Sequence, residues 1–292
     1  MRDEAGIITT IGVDSNSGAN NTQSPVFILG IMERCGSNFL SGALLIDPCF
    51  QLPNVLEEDY VLEHAHLLIE YVEKTYKRWK GQSWIPNPEE LREALLRQIG
   101  NSLLDLLSKQ IGSGKRLLAK TPAAFNMDKF FDLFPDAKLL VLIRDGRDVV
   151  ESAVHKWPEE PYEFWVQQWA DGAREILKFM RAFATSRGTS WELVRYEDLL
   201  EHPDETVGAL LSFLGLHPTE FDWNQLHTLP VYGSSQHVDK SGQVSGEVVE
   251  KTASFKFRAR WKDTWSWSQK RKFKKIAGNE LVALGYSSNA AW

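Results

Sequence analysis

The 292 residues are 43% hydrophobic and 25% charged, which allows a globular protein with a sizeable core. The formal net charge of −6 argues against broad, non-specific nucleic-acid binding. Two cysteines, Cys35 and Cys49, are too few for a disulfide scaffold or a paired zinc motif, and no apolar run approaches the ~20 residues a membrane-spanning helix needs.

Residues 1–24 are polar and rich in Gly, Asn and Ser, the composition of a flexible tail. They lack a basic start followed by an apolar run, so no signal peptide is expected, and the expectation is a cytoplasmic protein. Residues 25–292 read as one domain without repeats or a dividing linker. The first strand is expected at 26–29. A loop with Gly30 and Gly36 follows, then a helix over 37–46 that Asp47-Pro48 ends. Residues 57–79 read as a long, mostly helical stretch. Asn87-Pro88-Glu89-Glu90 is a helix start, and Leu91, Leu95, Leu96, Ile99 and Leu103 carry an apolar face towards residue 110.

Gly112-Ser113-Gly114 forms a turn into a strand at 116–120, which Thr121-Pro122 breaks. A short helix is expected at 126–134. The continuous apolar run KLLVLI at 138–143 suits a parallel strand buried on both faces. Helices are expected at 147–155 and 162–184, a strand at 190–194, and further helices near 198, from 203 to 215 and over 266–284. Residues 232–251 are Gly/Ser-rich and lack periodicity, a long loop of the kind that is usually functional. Strands near 26, 117, 139 and 191, alternating with helices, predict an α/β fold: a central parallel sheet flanked by helices, opening with a P-loop-like strand-loop-helix.

Ligands of such sheets gather outside the carboxyl ends of the strands, and polar stretches follow the expected strands. Arg34-Cys35-Gly36-Ser37-Asn38-Phe39 pairs a glycine and a helix start with a cation, which suits an anion. A nucleotide-triphosphatase loop would place Lys after the glycine, and here none follows Gly36. Arg144-Asp145-Gly146-Arg147-Asp148 leaves the most strand-like segment, with Ser152 two helical turns on. Arg144 is suited to grip two phosphate oxygens, whereas Asp145 and Asp148 read as local caps or ion-pair partners. Tyr196, in RYEDL, and the late basic segment Arg260-Trp261-Lys262 complete the set. Two anion loops with an aromatic and a basic segment point to a nucleotide with phosphates at both ends.

This set resembles the sulfotransferase family that uses 3′-phosphoadenosine-5′-phosphosulfate, over about residues 26–286. The resemblance implies that Arg34, Cys35, Gly36, Ser37, Asn38 and Phe39 form the phosphosulfate loop, with Asn38 where Thr or Ser is usual and Phe39 stacking on adenine. It implies that Arg144 and Ser152 take the 3′-phosphate, with Gly146 where Pro is frequent, and that Tyr196, Arg260, Trp261 and Lys262 also contact the nucleotide. Arg34 would stabilise the departing oxygen and Lys120 would steady the transferring group, without a metal. The His that cytosolic members carry shortly after the Lys-Thr position is absent from Lys120-Thr121-Pro122-Ala123-Ala124-Phe125. Other branches use a Glu a short way past the first helix, which here means Glu57, preferred, or Glu58, with His64 and His66 behind them. The implied reaction is sulfuryl transfer to a hydroxyl or amine of a small-molecule acceptor, with no nucleic-acid or membrane partner. The rivals are a small-molecule kinase and a non-catalytic nucleotide-binding module on a similar core.

Overall fold

A computed structural model describes residues 24–230, 237–238, 244–245 and 259–289. All but the last residue of the expected tail at 1–24 and most of the expected loop at 232–251 lie outside the described residues. The chain opens with β1 (Val26–Gly30), α1 (Ser37–Leu44), the two-residue β2 (Phe50–Gln51), α2 (Ala65–Lys80), α3 (Pro88–Ser108) and β3 (Arg116–Thr121). It continues through α4 (Phe130–Leu133), β4 (Lys138–Ile143), α5 (Gly146–Lys156), α6 (Tyr162–Ala182), β5 (Trp191–Arg195), α7 (Tyr196–Glu201), α8 (Pro203–Phe213) and α9 (Trp223–Thr228). Among the later residues are β6 (His237–Val238) paired antiparallel with β7 (Val244–Ser245), then α10 (Trp261–Thr264) and α11 (Trp267–Ala283).

The sheet runs β2-β3-β1-β4-β5 and every pair in it is parallel. The apolar runs explain the order. Every residue of β1 is buried, and so are five of the six in β4, as expected of strands covered on both faces. The chain leaves β1 towards β2 and β3 on one side, and later returns to β4 on the other. That reversal opens a crevice beside the carboxyl end of β1. The register sharpens the point: Leu29 is level with Thr121 in β3 and with Val141 in β4, while Ile143 is level with Arg195 in β5. The segments that leave β1, β3, β4 and β5 therefore emerge along one edge.

Helix ends follow local chemistry. Asp145 caps α5 by accepting from the Arg147 N–H, and Ser266 with Gln269 forms a capping box on α11. Asp222 caps α9, a helix not expected from the sequence because it is only six residues long. The strand β2 escaped for the same reason. The larger departure is at residues 57–64, expected to be helical. Here the Asp59 N–H donates to the Lys120 carbonyl and the Tyr60 N–H to Thr121 Oγ1, while Asp59 Oδ1 accepts from Val61 N–H and Thr121 Oγ1. Tyr60 adopts φ 48°. Bonds to the end of β3 replace the bonds a helix would make, and α2 begins only at Ala65.

One glycine sets how closely α6 approaches the loop after β1. A Cβ on Gly172 would lie 2.0 Å from the Ile31 carbonyl oxygen. Backbone cannot rotate out of the way, so Gly172→Ala is expected to destabilise the fold by about 1–3 kcal/mol. A lower midpoint in urea at unchanged slope would register this; an unchanged midpoint would mean that α6 does not press on this loop.

Candidate active site

The loop between β1 and α1 is shaped by two left-handed residues, Arg34 at φ 72° and Gly36 at φ 99°. Alternating backbone handedness of this kind turns successive N–H groups towards a common point. No side chain caps α1 and no acidic residue occupies its first turn, so its positive end is not neutralised locally. The glycine has a second role. The Tyr196 ring lies against Gly36 so closely that a Cβ there would fall 2.2 Å from a ring carbon. Tyr196 is buried, and burial raises its phenol above the ordinary range, which suits a packing surface.

The two cationic loops meet. Arg34 Nε donates to Ser152 Oγ at 3.2 Å, and Arg144 Nη1 donates to the Arg34 carbonyl at 2.8 Å. The Arg144 guanidinium lies 4.4 Å from the Tyr196 ring centre and that of Arg34 lies 5.9 Å from Trp157. Burial first, and then the charge of Arg144, lower the pKa of Arg34. Among the described residues no carboxylate makes an ion pair with Arg34. Two mutually repelling guanidiniums in a part-buried crevice have the chemistry that suits an anion.

Lys120 stands on the other side of the loop, 5% exposed at the end of β3. Its Nζ donates to Asn38 Oδ1 and lies 3.4 Å from Glu58 Oε1. Glu58 also accepts from the Tyr60 hydroxyl at 3.2 Å. Glu57 is exposed and has no hydrogen bond or ion pair among the described residues. The irregular 57–64 segment aims Glu58, and not the sequence-preferred Glu57, at Lys120. His64 and His66 are both exposed, and His66 accompanies Glu33 and Glu63 along a neighbouring cleft.

The remaining expected residues differ in burial. Phe39 is 6% exposed and packs edge-on against Tyr196 at 6.3 Å, which makes it core beneath the loop and not an open stacking face for a base. Cys35 is fully buried, its thiol pushed up to about 11 by burial, and serves as packing. Ser37 is buried at the start of α1, while Asn38 is exposed. Trp261 is buried with the Arg147 guanidinium 4.5 Å from its ring centre; Arg260 and Lys262 flank it, exposed.

Several supporting groups were not anticipated. Glu197 Oε1 accepts from the Asp145 N–H at 2.9 Å and Oε2 from the Tyr286 hydroxyl at 3.1 Å, tying α7 to the start of α5. Trp169 Nε1 donates to the Arg144 carbonyl at 3.3 Å. Asp148, expected to act locally, instead accepts the Ala259 N–H at 2.8 Å, and burial pushes its carboxyl up to about 6. Glu197 and Asp148 lie within the sequence segments singled out above, whereas Trp169 lies 25 residues from Arg144. Among the described residues no group of three or more His, Cys, Asp or Glu is placed to hold a metal ion, and no helix is long and apolar enough to cross a membrane.

Comparison with known proteins bears on this site. A family model described as the sulfotransferase family matches residues 25–220, more than half of the chain. The protein-tyrosine sulfotransferase of Drosophila melanogaster is 26% identical over 263 residues, covering 80% of this chain and 50% of that protein. This chain therefore spans about half the length of that relative. Protein-tyrosine sulfotransferase 2 of Gallus gallus is 25% identical over 158 residues, covering 51% of this chain and 39% of that protein. Among solved structures, the sulfotransferase domain of the Synechococcus PCC 7002 olefin synthase superposes with a TM-score of 0.50 at 20% identity, over 88% of this chain and 94% of that one. A mouse sulfotransferase complexed with PAP superposes with a TM-score of 0.50 at 12% identity, over 89% of this chain and 84% of that one. At these identities the superpositions establish the α/β fold, and the family match over residues 25–220 establishes the lineage: the chain belongs to the sulfotransferase family.

Proposed function

We propose that this protein transfers a sulfuryl group from 3′-phosphoadenosine-5′-phosphosulfate to a hydroxyl or amine of an acceptor. The carrying observation is the junction of the two cationic loops, Arg34 on Ser152 and Arg144 on the Arg34 carbonyl. The fit to such a donor rests on chemistry present in the site: a cation, Arg34, without a carboxylate partner among the described residues, a helix start without a side-chain cap, and a second guanidinium beside the first. The donor supplies a sulfuryl group on a phosphate leaving group. The chain supplies everything that positions it.

Arg34 is the group best placed to meet charge on the departing oxygen, because it is part-buried in a polarising site and already oriented by Ser152. Lys120, held between Asn38 and Glu58, adds a cation where the transferring group would lie. Glu58 is the acceptor's base in this reading. Its side chain is 37% exposed, so an acceptor can reach it, and Tyr60 and Lys120 fix its orientation.

The acceptor side has the opposite charge. A cleft of about 340 Å³ flanks the loop, lined by Glu33, Glu63, Asp171 and Glu175 beside Ala123–Asn126 of the turn after β3. Burial, and then its neighbours Glu58 and Glu63, work to raise the Glu33 pKa. Such a cleft favours a neutral or cationic acceptor over an acidic one. A small phenol or amine is the first reading. The names of the relatives favour a second, a tyrosine within a peptide.

Three outcomes are expected. Saturating adenosine 3′,5′-bisphosphate, at about 100 times its dissociation constant, should stabilise the chain by roughly 2.7 kcal/mol in thermal melts. A shift only with ATP and magnesium would replace this reading by a kinase. Arg34→Ala should lower turnover by about 10²–10³-fold with the fold retained, whereas Arg144→Ala should chiefly weaken bisphosphate binding. Glu58→Gln should lower kcat by about 10²-fold or more while Glu57→Gln stays near wild type, measured as sulfate transfer to a panel of phenols, amines and tyrosine peptides flanked by lysines or by carboxylates. Preference for the carboxylate-flanked peptides would overturn the charge argument.

A further inference from the structure

Helix α5 carries more than the anion-site residue Ser152. Three of its other polar side chains hold the late segment 259–265. The Arg147 guanidinium covers the Trp261 ring at 4.5 Å, Asp148 Oδ1 accepts the Ala259 N–H at 2.8 Å, and Glu151 Oε2 accepts the Trp265 Nε1–H at 2.8 Å. Arg147 is itself fixed by a paired contact with Asp145, at 2.6 Å for its closest atoms, and by donation to the Tyr286 carbonyl.

Asp148 stands out among the three. It is 7% exposed and lies one helical turn before Ser152 on the same face of α5. It is not needed to cap α5, a task Asp145 performs. The bond it makes spans 111 residues and fixes the backbone immediately before Arg260 and Lys262. Ala259 adopts φ 63°, a left-handed conformation that costs a residue with a Cβ about 1–2 kcal/mol. Within the segment the Ala259 carbonyl accepts the Lys262 N–H at 3.0 Å, and from outside it Asp148 accepts the Ala259 N–H. The surroundings of the carboxylate are mixed: Arg144 favours its charge, while Asp145 and Glu197 oppose it.

We propose that Asp148 is a positioning residue for nucleotide binding: by holding the Ala259 N–H it fixes the register of Arg260-Trp261-Lys262 over the start of α5, without touching the nucleotide itself. The inference rests on the sulfotransferase reading for the identity of the ligand. It goes beyond that reading in assigning a role to a carboxylate next to an anion site, where simple electrostatics would place none.

The test uses the full chain and adenosine 3′,5′-bisphosphate, with Asp148→Asn, Asp148→Ala and Asp148→Leu. Asparagine keeps an oxygen that accepts the Ala259 N–H, alanine removes it, and leucine fills the volume but accepts nothing. Expected by calorimetry is an affinity within about twofold of wild type for Asp148→Asn, and about tenfold weaker binding for Asp148→Ala or for whichever of the two truncating variants folds. The KM for the donor should rise by the same factor while kcat at saturating donor stays within about threefold, a split that general loosening of the active site would not give. Hydrogen exchange at the Ala259 amide should accelerate in the variants without an acceptor and not in Asp148→Asn. Wild-type affinity in Asp148→Ala and Asp148→Leu, or loss in Asp148→Asn equal to theirs, overturns the proposal. If wild type itself fails to bind the bisphosphate, the donor reading falls, while the amide exchange still reports whether Asp148 holds Ala259.

Discussion

The arrangement depends on keeping two guanidiniums in one crevice. Left to themselves, Arg34 and Arg144 would move apart into water, where each is better solvated and neither feels the other. Burial and the charge of Arg144 both act against protonated Arg34. The protein holds them with neutral oxygens: Ser152 Oγ for Arg34, and the Arg34 carbonyl for Arg144. A carboxylate on Arg34 would have been a simpler partner, but it would occupy the place an incoming anion needs. Neutral acceptors orient the charge without cancelling it. This is preorganisation in a concrete form, a cost met at folding so that it need not be met when the ligand arrives.

Backbone geometry makes that junction possible. Arg34 sits in a left-handed conformation that a residue with a side chain rarely adopts, and the Tyr196 ring fills the space over Gly36 that a Cβ would occupy. Tyr196 in turn presents its face to Arg144. Helix α6 bears on the loop from another direction, with Gly172 against the Ile31 carbonyl and Trp169 donating to the Arg144 carbonyl. Arg34 is thereby fixed by β1, α1, α5 and α7 together. Loops held from so many elements behave as part of the scaffold, in contrast to connections that merely cross the surface.

The parts of this architecture that were legible in the sequence are those governed by local pattern. KLLVLI at 138–143 and the run at 26–29 announce buried parallel strands because both faces must be apolar, and the glycines and cations that follow them announce anion loops. What was not legible is governed by partners distant in sequence. Residues 57–64 have a composition compatible with helix, yet the Lys120 carbonyl and the Thr121 hydroxyl at the end of β3 offer Asp59 and Tyr60 better-placed hydrogen bonds, and the helix yields. Whether Glu57 or Glu58 faces Lys120 follows from that tertiary choice and could not be read from NVLEEDY. Phe39 reads equally as a stacking aromatic or as core until the depth of α1 is known. Asp148 looked like a helix-start carboxylate because nothing in its neighbourhood names a partner 111 residues away.

The site also separates charge by direction. On the donor side stand Arg34, Arg144 and Lys120. On the side proposed for the acceptor, Glu58 faces Lys120, and the charges of Glu58 and Glu63 add to burial in raising the Glu33 carboxyl. Lys120 is the boundary, bound to Asn38 of the anion loop and paired with Glu58 of the 57–64 segment. That division suits a transfer in which negative charge grows on the leaving side while a proton is drawn off the attacking side. It also explains why the 57–64 segment must be irregular. A helix would space Glu58 from β3 by its own backbone cylinder, about 5 Å in radius with side chains, whereas an irregular segment bonded directly to Lys120 and Thr121 brings the carboxylate to the lysine. The departure from helical expectation and the placement of Glu58 beside Lys120 are one structural fact.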